Sequence, residues 1–218
     1  MAVPLAEQIR PQSLDDVVGQ RHLLAPGKPL RRIIESGRIP NMIFYGPSGV
    51  GKTTVARIIA ERTNMRLHKL NGTSASTADI RAVVDEVYSI AGYQGILLYL
   101  DEIQYLNKKQ QQSLLEHIEN GGITLIASTT ENPYFYIYNA ILSRSTVFEF
   151  QPVEPDEMEK AVRRGFTLLE EECQEKARLQ KGAAAYIATA CGGDVRKAMN
   201  AVALCYLSAD VTAQRERK

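Results

Sequence analysis

Residues 46–54 read Gly46-Pro47-Ser48-Gly49-Val50-Gly51-Lys52-Thr53-Thr54, a full G-x-x-x-x-G-K-[ST] phosphate loop. It follows the apolar run Met42 to Tyr45 and precedes a segment with helical spacing, in which Val55, Ile58 and Ile59 share one apolar face. Such a loop curls until successive backbone N–H groups point inward at phosphate oxygens, and a Cβ obstructs that path. Gly46, Gly49 and Gly51 supply the freedom, while Pro47, Ser48, Val50 and Thr54 complete the cradle. Lys52 is then expected to reach the β- and γ-phosphates and Thr53 to set its hydroxyl on Mg²⁺. The helix that begins there turns the positive end of its dipole toward the anion. The stretch therefore predicts a site for a nucleoside triphosphate with Mg²⁺.

Outward from the loop, short apolar runs alternate with helical patterns from about residue 42 to 150, as in a parallel sheet flanked by helices. The predicted strands are Met42 to Tyr45, Arg66 to Leu70, Ile96 to Leu100, Ile123 to Ala127 and Val147 to Phe150. Ser76 and Asp79 form the pattern of a capping box, opening a helix with Ile80, Val83, Val84 and Val87 on its apolar face. Another predicted helix carries Leu114, Leu115 and Ile118. At Pro152 and Pro155 the pattern changes: no strand signal recurs, and Met158, Val162, Phe166 and Leu169 mark a helix face. The expected organisation is an α/β nucleotide-binding domain over residues 1–151 and a small all-helical domain over 152–218, its closing Arg215 to Lys218 a frayed tail.

A second constellation stands at the end of the third predicted strand, where Asp101 and Glu102 follow Ile96 to Leu100. Ligands of open α/β sheets sit beyond the carboxyl ends of the strands. Two acids after a strand can be a solvated turn; downstream of a phosphate loop they read as a Mg²⁺ ligand, Asp101, and a group that orients or deprotonates the attacking water, Glu102. The next strand runs into Ser128, Thr129 and Thr130. Thr130 either bonds the attacking water or γ-phosphate, or only caps the turn before Pro133.

Composition sets the outer limits. With 218 residues, 44% hydrophobic and 23% charged, the chain has the balance of an ordinary globular protein with a well-buried core. A net charge of +1 gives no bulk signal for nucleic acid. Cys173, Cys191 and Cys205 are odd in number and lack metal-ligand spacing, and are expected to be reduced thiols in a cytoplasmic protein. His22, His68 and His117 are scattered and read as surface or structural residues, and Lys108 and Lys109 as a solvated helix start. Neither a targeting segment nor a membrane span is expected from the sequence.

Several ordered motifs together resemble one family. They are Pro4-Leu5-Ala6, Arg10-Pro11, Leu14 to Gln20, the phosphate loop, Leu100-Asp101-Glu102-Ile103, Thr129 to Pro133, Leu142-Ser143-Arg144 and Gly193 to Ala198. The chain resembles, over essentially its whole length, the clamp-loader-like AAA+ ATPases of the replication-associated recombination protein A family, relatives of the Werner helicase-interacting protein. The resemblance implies that Arg10, Pro11, Val17 and Val18 frame adenine and that Thr130 is the sensor-1 residue. It implies that Arg144 is an arginine finger acting on ATP held by a neighbouring subunit, and that Arg196 is the sensor-2 residue of a lid reading the γ-phosphate. By analogy, ATP turnover would remodel DNA at stalled forks or single-strand gaps, with single-strand binding protein as a possible partner and a homo-oligomer as the working form of full-length relatives.

Some positions depart from the family pattern. Ser48 and Val50 stand at variable places of the loop, and Gln104, Tyr105 and Leu106 replace a frequent His-Arg-Phe after the acidic pair. Relatives continue into a C-terminal region that holds the oligomer together, so the sequence reads as truncated after the lid. A small-molecule kinase would lack the use for Glu102 beside Asp101, and a GTP switch would show Asp as the fourth residue of Asn107-Lys108-Lys109-Gln110. The alternative that stays open is a non-hydrolysing, ATP-gated binding module.

Overall fold

A computed structural model of the chain describes residues 7, 10–88, 95–209 and 216–217. Pro4 to Ala6, Arg215 and Lys218 lie outside the described residues. The five apolar runs form one parallel sheet: β1 (Met42–Tyr45), β2 (Arg66–Asn71), β3 (Ile96–Asp101), β4 (Ile123–Thr129) and β5 (Thr146–Glu149), in the order β2-β3-β4-β1-β5. Strands β2, β3 and β4 run one or two residues beyond their apolar cores, because the polar residues at their ends still find backbone partners. Asn71 pairs with Asp101, and Tyr45 with Thr129.

Both faces of the sheet are covered, which is why its central strands are apolar throughout and not alternating. On one face α1 (Arg21–Leu24), α2 (Pro29–Ser36) and α3 (Lys52–Thr63) bury Leu30, Ile34, Val55, Ile58 and Ile59 against Phe44, Leu97, Tyr99 and Ile126. On the other, α4 (Thr77–Val87) and α5 (Lys108–Glu119) bury Ile80, Val83, Leu114 and Ile118 against Ile43, Leu98, Leu100 and Leu125. The capping box of α4 is present: the Asp79 N–H donates to Ser76 Oγ, and the Ser76 N–H donates to Asp79 Oδ2 at 2.8 Å. Asn107 and Gln110 cap α5 in the same reciprocal way, so the segment with Lys108 and Lys109 is a helix start, with Lys108 Nζ 5.1 Å from the Tyr138 ring centre. Two single-turn helices, α6 (Pro133–Tyr136) and α7 (Asn139–Leu142), lead into β5.

A separate apolar cluster follows Pro152. Its helices are α8 (Pro155–Cys173), α9 (Ala183–Ala190) and α10 (Val195–Ser208), packed through Met158, Val162, Phe166, Ile187, Met199 and Val202. One detail corrects the expected frayed tail: Glu216–Arg217 (β7) pairs in parallel with Lys176–Ala177 (β6). A two-residue ladder leaves no periodicity for a sequence to show.

The cross-connection between sheet and loop is tight at Gly46. Its N–H donates to the Thr129 carbonyl at 3.1 Å, its φ is +142°, and a Cβ there would lie 2.1 Å from the Phe150 carbonyl oxygen. Both contacts are backbone and cannot rotate away. Gly46→Ala is expected to lower unfolding free energy by about 2–4 kcal/mol, read as a shift of the urea midpoint with unchanged slope.

Candidate nucleotide-binding site

At the carboxyl edge of the sheet a cavity of about 360 Å³ lies between the phosphate loop, the N-terminal segment and the helices after Pro152. The loop itself is shaped by three glycines in positive φ, Gly46 at +142°, Gly49 at +71° and Gly51 at +101°. Gly51 is the N-cap of α3 and no side chain caps the helix, so its first-turn N–H groups are left for an anion among Gly51, Lys52, Thr53 and Thr54, which line the cavity with Ser48, Gly49 and Val50. Lys52 is buried, and its ammonium donates to the carbonyls of Gly46 and Pro47 at 2.6 Å each. Burial holds the Lys52 ammonium below the usual lysine range; the carboxylates of Glu102 and Asp101 pull it back up, and Arg196 adds to the lowering. Two carbonyls leave the third donor of this buried cation for a phosphate oxygen. The loop, the uncapped helix and the ammonium fit the phosphates of a nucleotide.

Thr53 and Asp101 meet through a hydroxyl that the motifs did not single out. Tyr99, two residues before Asp101 on β3, places its phenol oxygen 3.0 Å from Thr53 Oγ1 and 2.9 Å from Ser128 Oγ, and 3.3 Å from Asp101 Oδ1. Ser128 donates a short bond to the same Asp101 oxygen. Burial, then the nearby Asp101 charge, pushes the Tyr99 phenol well above its usual range, so it stays protonated. The bonds to Asp101 fall on Oδ1, which leaves Oδ2, with Thr53 Oγ1, as hard oxygen donors of the kind Mg²⁺ takes.

Glu102 sits at the next position in a left-handed backbone conformation (φ 52°, ψ 50°), unusual for a residue with a Cβ. Gly72 on the neighbouring chain segment makes room for this turn, since a Cβ there would lie 2.2 Å from the Glu102 carbonyl oxygen. The Glu102 carboxylate lines the cavity, accepting from Gln104 Nε2 at 2.6 Å and from Thr130 Oγ1 at 3.4 Å. Thr130 is thus brought to Glu102. It does not itself line the cavity.

The N-terminal residues Arg10, Pro11, Val17 and Val18 all line the cavity. Gln20 fixes their segment: its amide donates to the carbonyls of Val50 (3.3 Å) and Gln151 (2.6 Å) and accepts from the Gln151 N–H (3.0 Å). Opposite them stand Ala161, Arg164, Val195, Arg196, Met199 and Asn200. Here the loop and the helical cluster touch directly. The Val195 N–H donates to the Gly49 carbonyl at 3.1 Å, Ser48 Oγ donates to Asp194 Oδ2 at 3.4 Å, and a Cβ on Gly49 would overlap the Asp194 carboxylate. Asp194 at the same time caps α10 by accepting from the Lys197 N–H at 3.0 Å.

Arg144 is elsewhere. Its guanidinium pairs with Glu119 at 2.6 Å and donates to the Ala140 carbonyl at 2.8 Å, outside the cavity of its own chain. The three histidines have structural partners: His22 the Glu149 carbonyl, His68 Glu86, and His117 Tyr88. No helix among the described residues is long and apolar enough to cross a membrane.

The family described as ATPase family associated with various cellular activities (AAA) matches residues 42–153. The chain belongs to the AAA ATPases. Replication-associated recombination protein A of Bacillus subtilis is 38% identical over 217 residues, covering 98% of this chain and 50% of that protein. The protein of the same name from Escherichia coli K12 is 36% identical, covering 95% and 47%. The ATPase WRNIP1 of Dictyostelium discoideum is 35% identical, covering 90% and 23%. The chain thus spans about half the length, or less, of these curated relatives. Among solved structures, a mutant form of Thermotoga maritima RuvB superposes with a TM-score of 0.71 at 25% identity, covering 89% of this chain and 64% of that one. The resemblance read from the ordered motifs and the α/β AAA+ fold with helical lid are borne out by these matches.

Proposed function

We infer that this AAA ATPase domain binds ATP with Mg²⁺ and hydrolyses it in the service of replication-linked recombination and repair. The observation that carries the hydrolytic part is the Glu102 carboxylate, held by Gln104 and Thr130 at the cavity that also contains Lys52 and the loop. In this reading the loop N–H groups and Lys52 bind the β- and γ-phosphates, and Arg10, Pro11, Val17 and Val18 frame the base. Glu102 takes a proton from the water that attacks the γ-phosphorus, Thr130 orients that water or carboxylate, and the bond to the ADP oxygen breaks. Thr53 and Asp101 would hold Mg²⁺, which when bound supplies positive charge against the phosphate oxygens. Arg196 reads the γ-phosphate from the lid, and Arg144, turned away from its own cavity, serves a neighbouring copy's nucleotide in a homo-oligomer.

The base is residues 1–151 and the lid 152–218. Their junction at Gln151, clamped by Gln20, and the Asp194 contact on the loop give the lid a direct mechanical link to whatever the loop holds. A role in replication-linked recombination is supported by the names of the relatives; single strands or gaps at stalled forks, a cytoplasmic location and single-strand binding protein as a partner extend that reading by analogy. Steady-state ATP hydrolysis with and without single-stranded and gapped DNA tests the whole reading. DNA-dependent turnover is the expected result. ATP binding with no turnover under any condition would leave an ATP-gated module instead.

A further inference from the structure

We propose that Tyr99 and Ser128 are positioning residues of the Mg²⁺ site, aligning the Thr53 hydroxyl through a one-way chain of hydrogen bonds that ends on Asp101. The proposal rests on the reading that Thr53 and Asp101 hold the cation.

The strand register puts the groups together. Tyr99 pairs with Ile126 across β3 and β4, and side chains two apart on a strand share a face. Tyr99, Asp101 and Ser128 therefore all project to the side where α3 packs, and α3 carries Thr53. Tyr99 is 2% exposed and Ser128 wholly buried. A phenol and a hydroxyl in such a place must be hydrogen-bonded or cost stability, and a phenylalanine would fill the same apolar space without that demand.

Proton counting fixes the direction. Thr53, Tyr99 and Ser128 each have one hydroxyl proton, and Asp101 Oδ1 is the acceptor in both of its bonds. Ser128 donates to Asp101 Oδ1. Tyr99 donates to Ser128 Oγ at 2.9 Å or to Asp101 Oδ1 at 3.3 Å, and in either case its single proton is committed toward the acid. At the 3.0 Å contact with Thr53, the phenol oxygen is therefore the acceptor and Thr53 the donor. With its proton turned to Tyr99, the Thr53 hydroxyl has its lone pairs available for a cation in the cavity. Without the phenol, the Thr53 proton can rotate into the place the cation needs.

The test is binding, not turnover: a fluorescent ATP analogue titrated with Mg²⁺ on the wild type, Tyr99→Phe, Ser128→Ala and Thr53→Ala. Tyr99→Phe is expected to raise the half-saturating Mg²⁺ about tenfold, as loss of an outer-shell partner does, while affinity in excess EDTA stays unchanged. Ser128→Ala should move the same way and serves alone if Tyr99→Phe fails to fold, as judged by its thermal melt. A raised Mg²⁺ requirement in Thr53→Ala with wild-type behaviour in the folded Tyr99 or Ser128 variant overturns the positioning role. Wild-type Mg²⁺ dependence in Thr53→Ala overturns the assignment of the cation to Thr53, and the proposal with it.

Discussion

Glu102→Gln is expected to bind ATP with nearly unchanged affinity and to hydrolyse it at least about 100-fold more slowly, the scale on which a positioned general base contributes. The substitution keeps size and shape. The new amide oxygen still accepts from Gln104 Nε2, and the left-handed backbone at position 102 is as costly for Gln as for Glu, so the turn supported by Gly72 persists. What is lost is the basic oxygen pair. Charge also changes: a carboxylate that would repel phosphate is removed, and with it the larger of the two acids that hold up the proton affinity of Lys52, while Asp101 remains. These two charge changes oppose each other, which is why the affinity for a triphosphate is expected to stay nearly unchanged. Steady-state phosphate release together with equilibrium binding of a fluorescent ATP analogue separates the two effects. Turnover within a few-fold of wild type would remove Glu102 from the role of base.

Much of this geometry is readable along the chain, and the limit falls where residues far apart in sequence meet. The phosphate loop is legible because its glycines and Lys52 must be adjacent, and α4 because Ser76 and Asp79 cap within one turn. The strands are legible as apolar runs, but not their order: nothing local says that β1 lies between β4 and β5. Tyr99 reads as core. Its hydroxyl gains meaning only when the register brings Ser128 beside it and α3 brings Thr53, although a tyrosine within Ile96-Leu97-Leu98-Tyr99-Leu100 is itself a signal, since an apolar run has no use for the hydroxyl. Gln104 stands out in the sequence only as a departure from a pattern, yet it is the closest partner of the Glu102 carboxylate. Asp194 is legible locally as the cap of α10, but its contact with the loop is not, because Gly49 lies in the other half of the chain.

That contact also bears on what the lid can sense. Asp194 caps α10 and at the same time lies against Gly49, so an acid and the loop that would hold phosphate share one boundary. An anion entering the loop meets Arg196 and Asp194 from the same helix start, one attracting and one repelling. On the proposed reading of Arg196, the balance between them would make the lid position depend on charge in the cavity.

Lys52→Ala separates binding from folding more sharply than any other change. ATP affinity is expected to fall between about tenfold and about 100-fold, the cost of losing one charge-assisted bond to phosphate. The fold should be barely affected. The Lys52 ammonium is buried and held below its usual proton affinity by that burial, so part of its environment already opposes the charge. Its removal frees the Gly46 and Pro47 carbonyls, and because the Lys52 side chain itself lines the cavity, the space it vacates lets water reach them. The loop keeps its other backbone neighbours, Phe150, Thr129 and Val195, none of which involves the Lys52 side chain. A thermal melt within a few degrees of wild type without nucleotide, and the loss of ATP-induced stabilisation in the same assay, is the expected pair of results. Unchanged stabilisation by ATP would show that the triphosphate does not lie against Lys52, and the phosphate-loop reading would fall with it.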